Sequence, residues 1–187
     1  DFVSIPVGDP RKTAFYNYFS LIIEKENQRI LNLRDKILNM NTDEDLAVNA
    51  LQTLGKRYRI KSGDPSELKT SLLQNVDQLP ASLVLAQGAI ESAWGTSRFA
   101  RVAHNYFGQW CYTKNCGVIP ADPREGKHYE VQRFNSPGIS LRSYLFNINS
   151  NPAYAELRRI RFDQRNKKES LSGCYLAEGL QGFSGEG

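Results

Sequence analysis

Cysteine, histidine and long apolar runs are all scarce in this chain, and each scarcity closes off a class of protein. Three cysteines in 187 residues cannot make a disulfide scaffold. A chain of this length needs none, because it can bury roughly 70% of its unfolded surface. The two histidines, His104 and His128, do not stand at zinc-ligand spacing from the cysteines. No run of about 18 apolar residues occurs, so no segment reads as a membrane-spanning helix. Neither charge sign dominates: 24 basic against 20 acidic residues leave +4. That is enough to favour an anionic polymer without specifying one. The aromatic–glycine motifs of common RNA-binding modules are missing, which argues against a nucleic-acid partner. There is no internal repeat, no low-complexity linker and no visible signal peptide. A chain opening at Asp1 without methionine reads as processed or trimmed.

What remains is an ordinary globular composition, 40% hydrophobic and 24% charged, with a fairly rich 11% of aromatics. The length fits one domain, or one domain with a helical extension. Apolar residues Phe15, Phe19, Ile22, Ile23, Ile30, Leu33 and Ile37 recur every three to four positions, predicting a long helix over 13–40. Thr42 or Asp43 is placed to cap a second helix running to about Arg57. The turn Gly63-Asp64-Pro65 precedes a third, with Ser66 as its cap, to Val76. Pro80 opens a fourth over Ala81–Ser92. That helix is apolar nearly all round, which predicts a buried central helix. Gly88 within it costs about 1 kcal/mol against alanine, so a close approach by a neighbour is expected there. Residues 105–137 are rich in Gly, Pro, Asn and Asp, with β-prone pieces near Gly117–Pro120 and His128–Phe134. They predict a small β lobe or hairpin. Helix returns over Gly138–Asn149, and Pro152 opens another. The glycine-rich tail 179–187 reads as frayed.

Cys111 and Cys116, five apart in a turn-rich stretch, suit a small disulfide loop in an oxidising compartment. A zinc site with His104 or His128 is the alternative. Cys174 reads as a small buried residue. The basic run Arg158, Arg159, Arg161, Arg165, Lys167, Lys168 reads as the solvated face of a helix end.

Glu91 stands out chemically. It lies at the end of an apolar helix, just before Trp94 and Gly95. Burial and the partial negative charge of a helix C-terminus both disfavour its ionised form. A carboxyl with a raised pKa is what a general acid near neutral pH requires. The alternatives are a structural glutamate paired with an arginine, or an exposed helix end. Trp94, Phe99, Tyr106, Phe107, Trp110 and Tyr112 follow closely. Such aromatics can stack on sugar rings, and they can equally be core.

Ala86-Gln87-Gly88-Ala89-Ile90-Glu91-Ser92-Ala93-Trp94-Gly95-Thr96-Ser97 resembles the glutamate motif of bacterial cell-wall N-acetylglucosaminidases, glycoside hydrolase family 73. Asn105-Tyr106-Phe107-Gly108-Gln109 resembles the element that follows it there, and Asn151-Pro152-Ala153-Tyr154 the element that closes the domain. Trp110-Cys111, Cys116-Gly117 and Arg124-Glu125-Gly126 are similar to the Bax-like branch of that family. The resemblance implies an α+β, mainly α, lysozyme-like fold: a helical lobe and a small β lobe with a cleft between. It implies residues 1–62 as an N-terminal helical extension packed on a catalytic domain of residues 63–187. It further implies a bacterial cell-envelope location and cleavage of the β-1,4 bond after N-acetylglucosamine in peptidoglycan glycan strands.

By the same resemblance Glu91 is the general acid and Tyr154 the tyrosine near the reaction centre. Trp94, Tyr106, Phe107, Trp110 and Glu130 are the expected substrate contacts. Glycosidases generally need a second group, a base or a nucleophile. Asp122, Glu125 and Glu130 are the candidates, Glu125 foremost. Alternatively the substrate's own acetamido group attacks the anomeric carbon. This chemistry needs no metal and no organic cofactor. The rival readings are a muramidase or lytic transglycosylase on the same polymer, and a non-catalytic wall-binding module.

Overall fold

In the computed structural model the described residues are 1–120 and 129–180. The expectations on Asp122, Glu125 and His128, and on the tail beyond Leu180, lie outside them. The fold is mainly helical. Its elements are α1 (Asp9–Leu38), α2 (Asp45–Arg57), α3 (Pro65–Asn75), α4 (Ala81–Ser92), α5 (Arg98–Ala103), β1 (Trp110–Cys111), β2 (Gly117–Val118), β3 (Glu130–Gln132), α6 (Pro137–Ser150), α7 (Ala155–Asn166) and α8 (Gly173–Ala177). The chain divides into two compact units: Asp1–Glu24 with Val84–Tyr144, and Lys25–Leu83 with Leu145–Gly187.

Local chemistry accounts for most helix boundaries. Helix α1 starts four residues before the predicted position, because Pro10 fits a first turn where its missing amide costs nothing. Helix α3 is capped by Asp64, not Ser66: the Asp64 carboxylate accepts from Glu67 N at 2.8 Å, and Pro65 sits at the first helical position. Glu44 precedes α2 without a side-chain cap, so neither Thr42 nor Asp43 plays the expected part.

In the first unit Phe15, Phe19 and Ile23, four apart on α1, form a buried stripe. Phe107 stacks on Tyr144 with centroids 4.4 Å apart. Gly88 does meet a close neighbour: a methyl group there would stand 3.2 Å from the Phe107 ring. Helix α4 is not buried all round, however. Ala86 is exposed and Ile90 is 74% exposed, so one face of this apolar helix is open. The sheet is antiparallel in the order β1-β3-β2, with Trp110 and Val118 both paired to Val131. Strand β1 was not expected from the sequence, and α5 packs against β2 and β3.

The second unit holds a core of Ile37, Leu51, Tyr58, Leu68, Leu72 and Val76. Beside it the basic run behaves contrary to expectation. Arg161 is fully buried and Arg158 nearly so. Arg161 donates to the carbonyls of Gln74, Asn75, Asp77 and Gln78, and to Asn149 Oδ1, over 2.8–3.4 Å. Arg34 donates to the Leu73 and Val76 carbonyls. Together they satisfy the orphan carbonyls at the end of α3, where partial negative charge favours a cation. Arg158 does the same for Ile148 and Asn151 at the end of α6. Arg165 grips the buried Asp77 carboxylate with two bonds of 2.8 and 2.7 Å. Arg159 lies exposed, paired with Glu156 and Asp163 as predicted for a solvated face. Cys174 is also exposed, not buried.

Candidate active site

The site is built around the end of α4. Ser92, fully buried, closes that end: its hydroxyl donates to the Gly88 carbonyl at 2.5 Å and accepts from Gly95 N at 2.8 Å. Trp94 N reaches back to the Ala89 carbonyl at 2.8 Å, as in a helix-terminating Schellman turn. The chain then passes through three consecutive left-handed residues, Ala93, Trp94 and Gly95, with φ of 48°, 58° and 78°. Only the third is a glycine. Two L-residues in this region are held there by their surroundings, a pattern found at functional sites.

Glu91 stands immediately before this turn. Its residue surface is open to solvent, yet burial of part of its carboxyl raises its pKa above the ordinary glutamate range. The two facts are compatible because one side of the carboxyl is crowded by backbone. A methyl group on Gly108 would stand 2.7 Å from Glu91 Oε2. Gly108 itself has φ of 62°, which a side chain would strain. The glycine is thus required twice, by its own conformation and by the carboxyl beside it.

The loop carrying Gly108 is tied down by its flanking residues. Asn105 is buried; its amide donates to the Gln109 and Gln132 carbonyls at 2.8 and 3.0 Å, and its Oδ1 accepts from Gln109 N at 3.1 Å. Gln109 Nε2 donates to the Ser140 carbonyl, and Tyr106 N to the Ser140 hydroxyl. These polar ties join the loop to β3 and α6.

The expected substrate contacts divide. Phe107 is 1% exposed and Tyr106 is buried. Both pack inside the first unit, Phe107 against Tyr144 and Gly88 and Tyr106 against Phe2 and Phe19, on the loop that carries Gly108. Trp94 is half-buried. It is edge-packed on Phe15 and Tyr16 of α1, with the Lys12 ammonium 5.6 Å from its ring centroid. Trp110 is half-buried on β1 and meets Tyr129 edge-on at 4.8 Å. Glu130, half-buried on β3, pins the hairpin loop: its two carboxylate oxygens accept from Asn115 N and Gly117 N at 2.9 and 2.7 Å. Cys111 and Cys116 are joined as a disulfide across that loop. Their sulfurs are therefore not thiolates, and they supply no ligand for the zinc alternative. His104 takes a left-handed conformation at the end of α5. Tyr154 is buried in the turn before α7, in the second unit, while Glu91 belongs to the first.

Sequence reasoning did not single out Ser92, Gly108 or Asn105, though all three lie inside the motifs it used. A serine followed three residues later by glycine, at the end of a helix, is a readable signal for a hydroxyl-closed turn.

Residues 69–177 match the glucosaminidase family, described as mannosyl-glycoprotein endo-beta-N-acetylglucosaminidase. The chain is similar to Protein bax of Escherichia coli (strain K12), at 31% identity over 192 residues, taking in 100% of this chain and 68% of that protein. No solved structure matches it.

Proposed function

This chain belongs to the glucosaminidase family, a family of glycoside hydrolases, and from that premise we propose that it cleaves the β-1,4 bond after N-acetylglucosamine in peptidoglycan. The observation that carries the proposal is Glu91: a solvent-reachable carboxyl, backed by Gly108, whose pKa is raised by burial. A carboxyl that holds its proton more tightly than an ordinary glutamate can give it to the glycosidic oxygen as the C–O bond breaks. The leaving sugar then departs as an alcohol, and positive charge spreads over the ring that remains.

That charge must be met. Glu125 is the proposed second carboxylate, either activating water or attacking directly; the substrate's acetamido oxygen is the alternative nucleophile. Tyr154 is proposed near the reaction centre on its match to the family's closing motif. Trp110 and the open part of Trp94 are the proposed sugar-stacking surfaces. The family supports a lysozyme-like arrangement with a substrate cleft, carried by residues 63–187 with 1–62 as a helical extension. That span contains the whole of the family match. A peptidoglycan substrate implies an envelope location, an oxidising setting that suits the Cys111–Cys116 disulfide.

The test is digestion of purified peptidoglycan, with new chain ends read by mass spectrometry. Reducing N-acetylglucosamine ends, absent with Glu91→Gln, are expected. Reducing or anhydro-muramic ends would make the enzyme a muramidase or a lytic transglycosylase. Wall binding by both proteins without cleavage by either would make it a binding module.

A further inference from the structure

The segment before α1 lies in the same unit as Glu91, and nothing in the proposed chemistry uses it. Its Phe2 makes an unusual set of contacts. A methyl group on Gly95 would stand 2.4 Å from the Phe2 ring, so the ring lies flush on the glycine that ends the left-handed turn. The same ring meets Tyr106 edge-on at 6.5 Å, and Phe15, Tyr18 and Phe19 of α1 at 5.5, 5.8 and 6.4 Å. Gly95 stands four residues after Glu91, and Tyr106 two residues before Gly108. The turn that follows Glu91 in the chain and the loop that backs its carboxyl therefore share one aromatic neighbour.

The segment is itself secured. The Arg11 guanidinium donates to the Ile5 carbonyl at 2.6 and 3.1 Å, and Asp1 Oδ1 accepts from Val3 N at 3.2 Å. Trp94, the middle residue of the turn, is held from the same helix by Phe15, Tyr16 and Lys12. Left-handed conformations at alanine and tryptophan persist only where packing over-determines them. Phe2 and Trp94 supply that packing.

We infer that Phe2 is a positioning residue for Glu91, clamping the turn after it to the loop that backs its carboxyl. The inference rests on Glu91 being the acid of the proposed reaction. It deepens that reading by making catalytic competence depend on the docking of residues 1–8.

The experiment compares the full chain as wild type, Phe2→Ala, Phe2→Leu and Glu91→Gln. Turnover of solubilised glycan strands is measured, and the Glu91 carboxyl is titrated by carbon NMR, its resonance assigned by its loss in Glu91→Gln. A misplaced acid costs roughly 10–100-fold, so Phe2→Ala should lower kcat by about that factor. KM should move by less than about twofold, because the loss falls on the transition state. The Glu91 midpoint should fall toward the ordinary glutamate value as the carboxyl gains water. Phe2→Leu, which keeps a bulky apolar side chain on Gly95, should restore most of both. Unchanged kcat and unchanged titration in Phe2→Ala would overturn the inference. So would a lowered melting temperature with the Glu91 titration unmoved, the mark of a merely structural residue. If the wild type does not cleave the glycan, the proposed function fails, and the titration in Phe2→Ala still decides whether the clamp exists.

Discussion

Replacing Arg161 by methionine should be among the most damaging single changes in this protein. Arg161 is fully buried on α7, and among the described residues no carboxylate bonds to it directly; it donates instead to four carbonyls and the Asn149 amide. Burial lowers its pKa to about 10, so it stays charged at neutral pH. Methionine would fill the volume and remove the donors. Asp77 O would keep a bond from Asn149 Nδ2 at 2.9 Å. Asn149 Oδ1, fully buried, and the partly buried Gln74, Asn75 and Gln78 carbonyls would lose theirs, the last a long bond of 3.4 Å that adds little. At about 1–3 kcal/mol per orphaned acceptor, discounted for the three partly buried ones, the loss comes to about 4 kcal/mol. For a chain of this size that is a drop in melting temperature of about 12 °C. Urea unfolding with an unchanged m-value is the assay. Arg159→Ala on the same helix is the control. Arg159 makes shorter ion pairs, at 2.6 and 2.7 Å, but in full solvent. Screening should leave its removal almost silent. Arg161→Met and Arg159→Ala unfolding at the same urea concentration would refute the reasoning.

Other outcomes follow from the same geometry. Glu91 has a raised pKa, so the folded state holds its proton longer than the unfolded state does. The stability this group contributes is present below the unfolded value and is lost as pH rises through the folded one. Glu91→Gln should therefore melt higher than wild type at neutral pH, and the gap should close on acidification. Asp77 behaves in the opposite sense. Burial pushes its pKa up, but the Arg165 bonds and the charges of Arg161 and Arg34 carry it below the ordinary value. Its contribution is present above the unfolded value and is lost as pH falls through the depressed one, so Asp77→Asn should flatten the acid limb of a stability–pH curve. Gly108→Ala should strain a left-handed position by about 1–2 kcal/mol and displace the Glu91 carboxyl. Thermal melting and turnover together will check it, since activity should fall far more than stability. Replacing both Cys111 and Cys116 by serine opens a short loop and should cost about 2 kcal/mol, read by urea unfolding.

The sequence disclosed the helical plan because apolar spacing and proline placement act locally. Phe15, Phe19 and Ile23 could be assigned to one face, and Pro80 to a helix start, with no knowledge of the rest. Glu91 was legible for the same reason, as a carboxylate at the end of an apolar run. The basic run on α7 was misread because charge spacing says nothing about distant partners. Arg161 is buried by carbonyls more than 80 residues away, and no local rule anticipates them. The burial of Phe107 and Tyr106 was not legible for a related reason: an aromatic that stacks on sugar and one that fills a core have the same local signature. Strand β1 is two residues long and exists only through pairing with β3. The contact of Phe2 with Gly95 likewise depends on tertiary packing across most of the first unit.

The left-handed run Ala93-Trp94-Gly95 also constrains how this protein can be altered. Stiffening loops with proline is a common route to greater thermal tolerance, but proline holds φ near −65°. None of the three positions can accept it, and β-branched residues would fare little better there. Any hardening of the protein by engineering or drift has to be sought elsewhere, and the residues following Glu91 will resist change on account of their backbone alone.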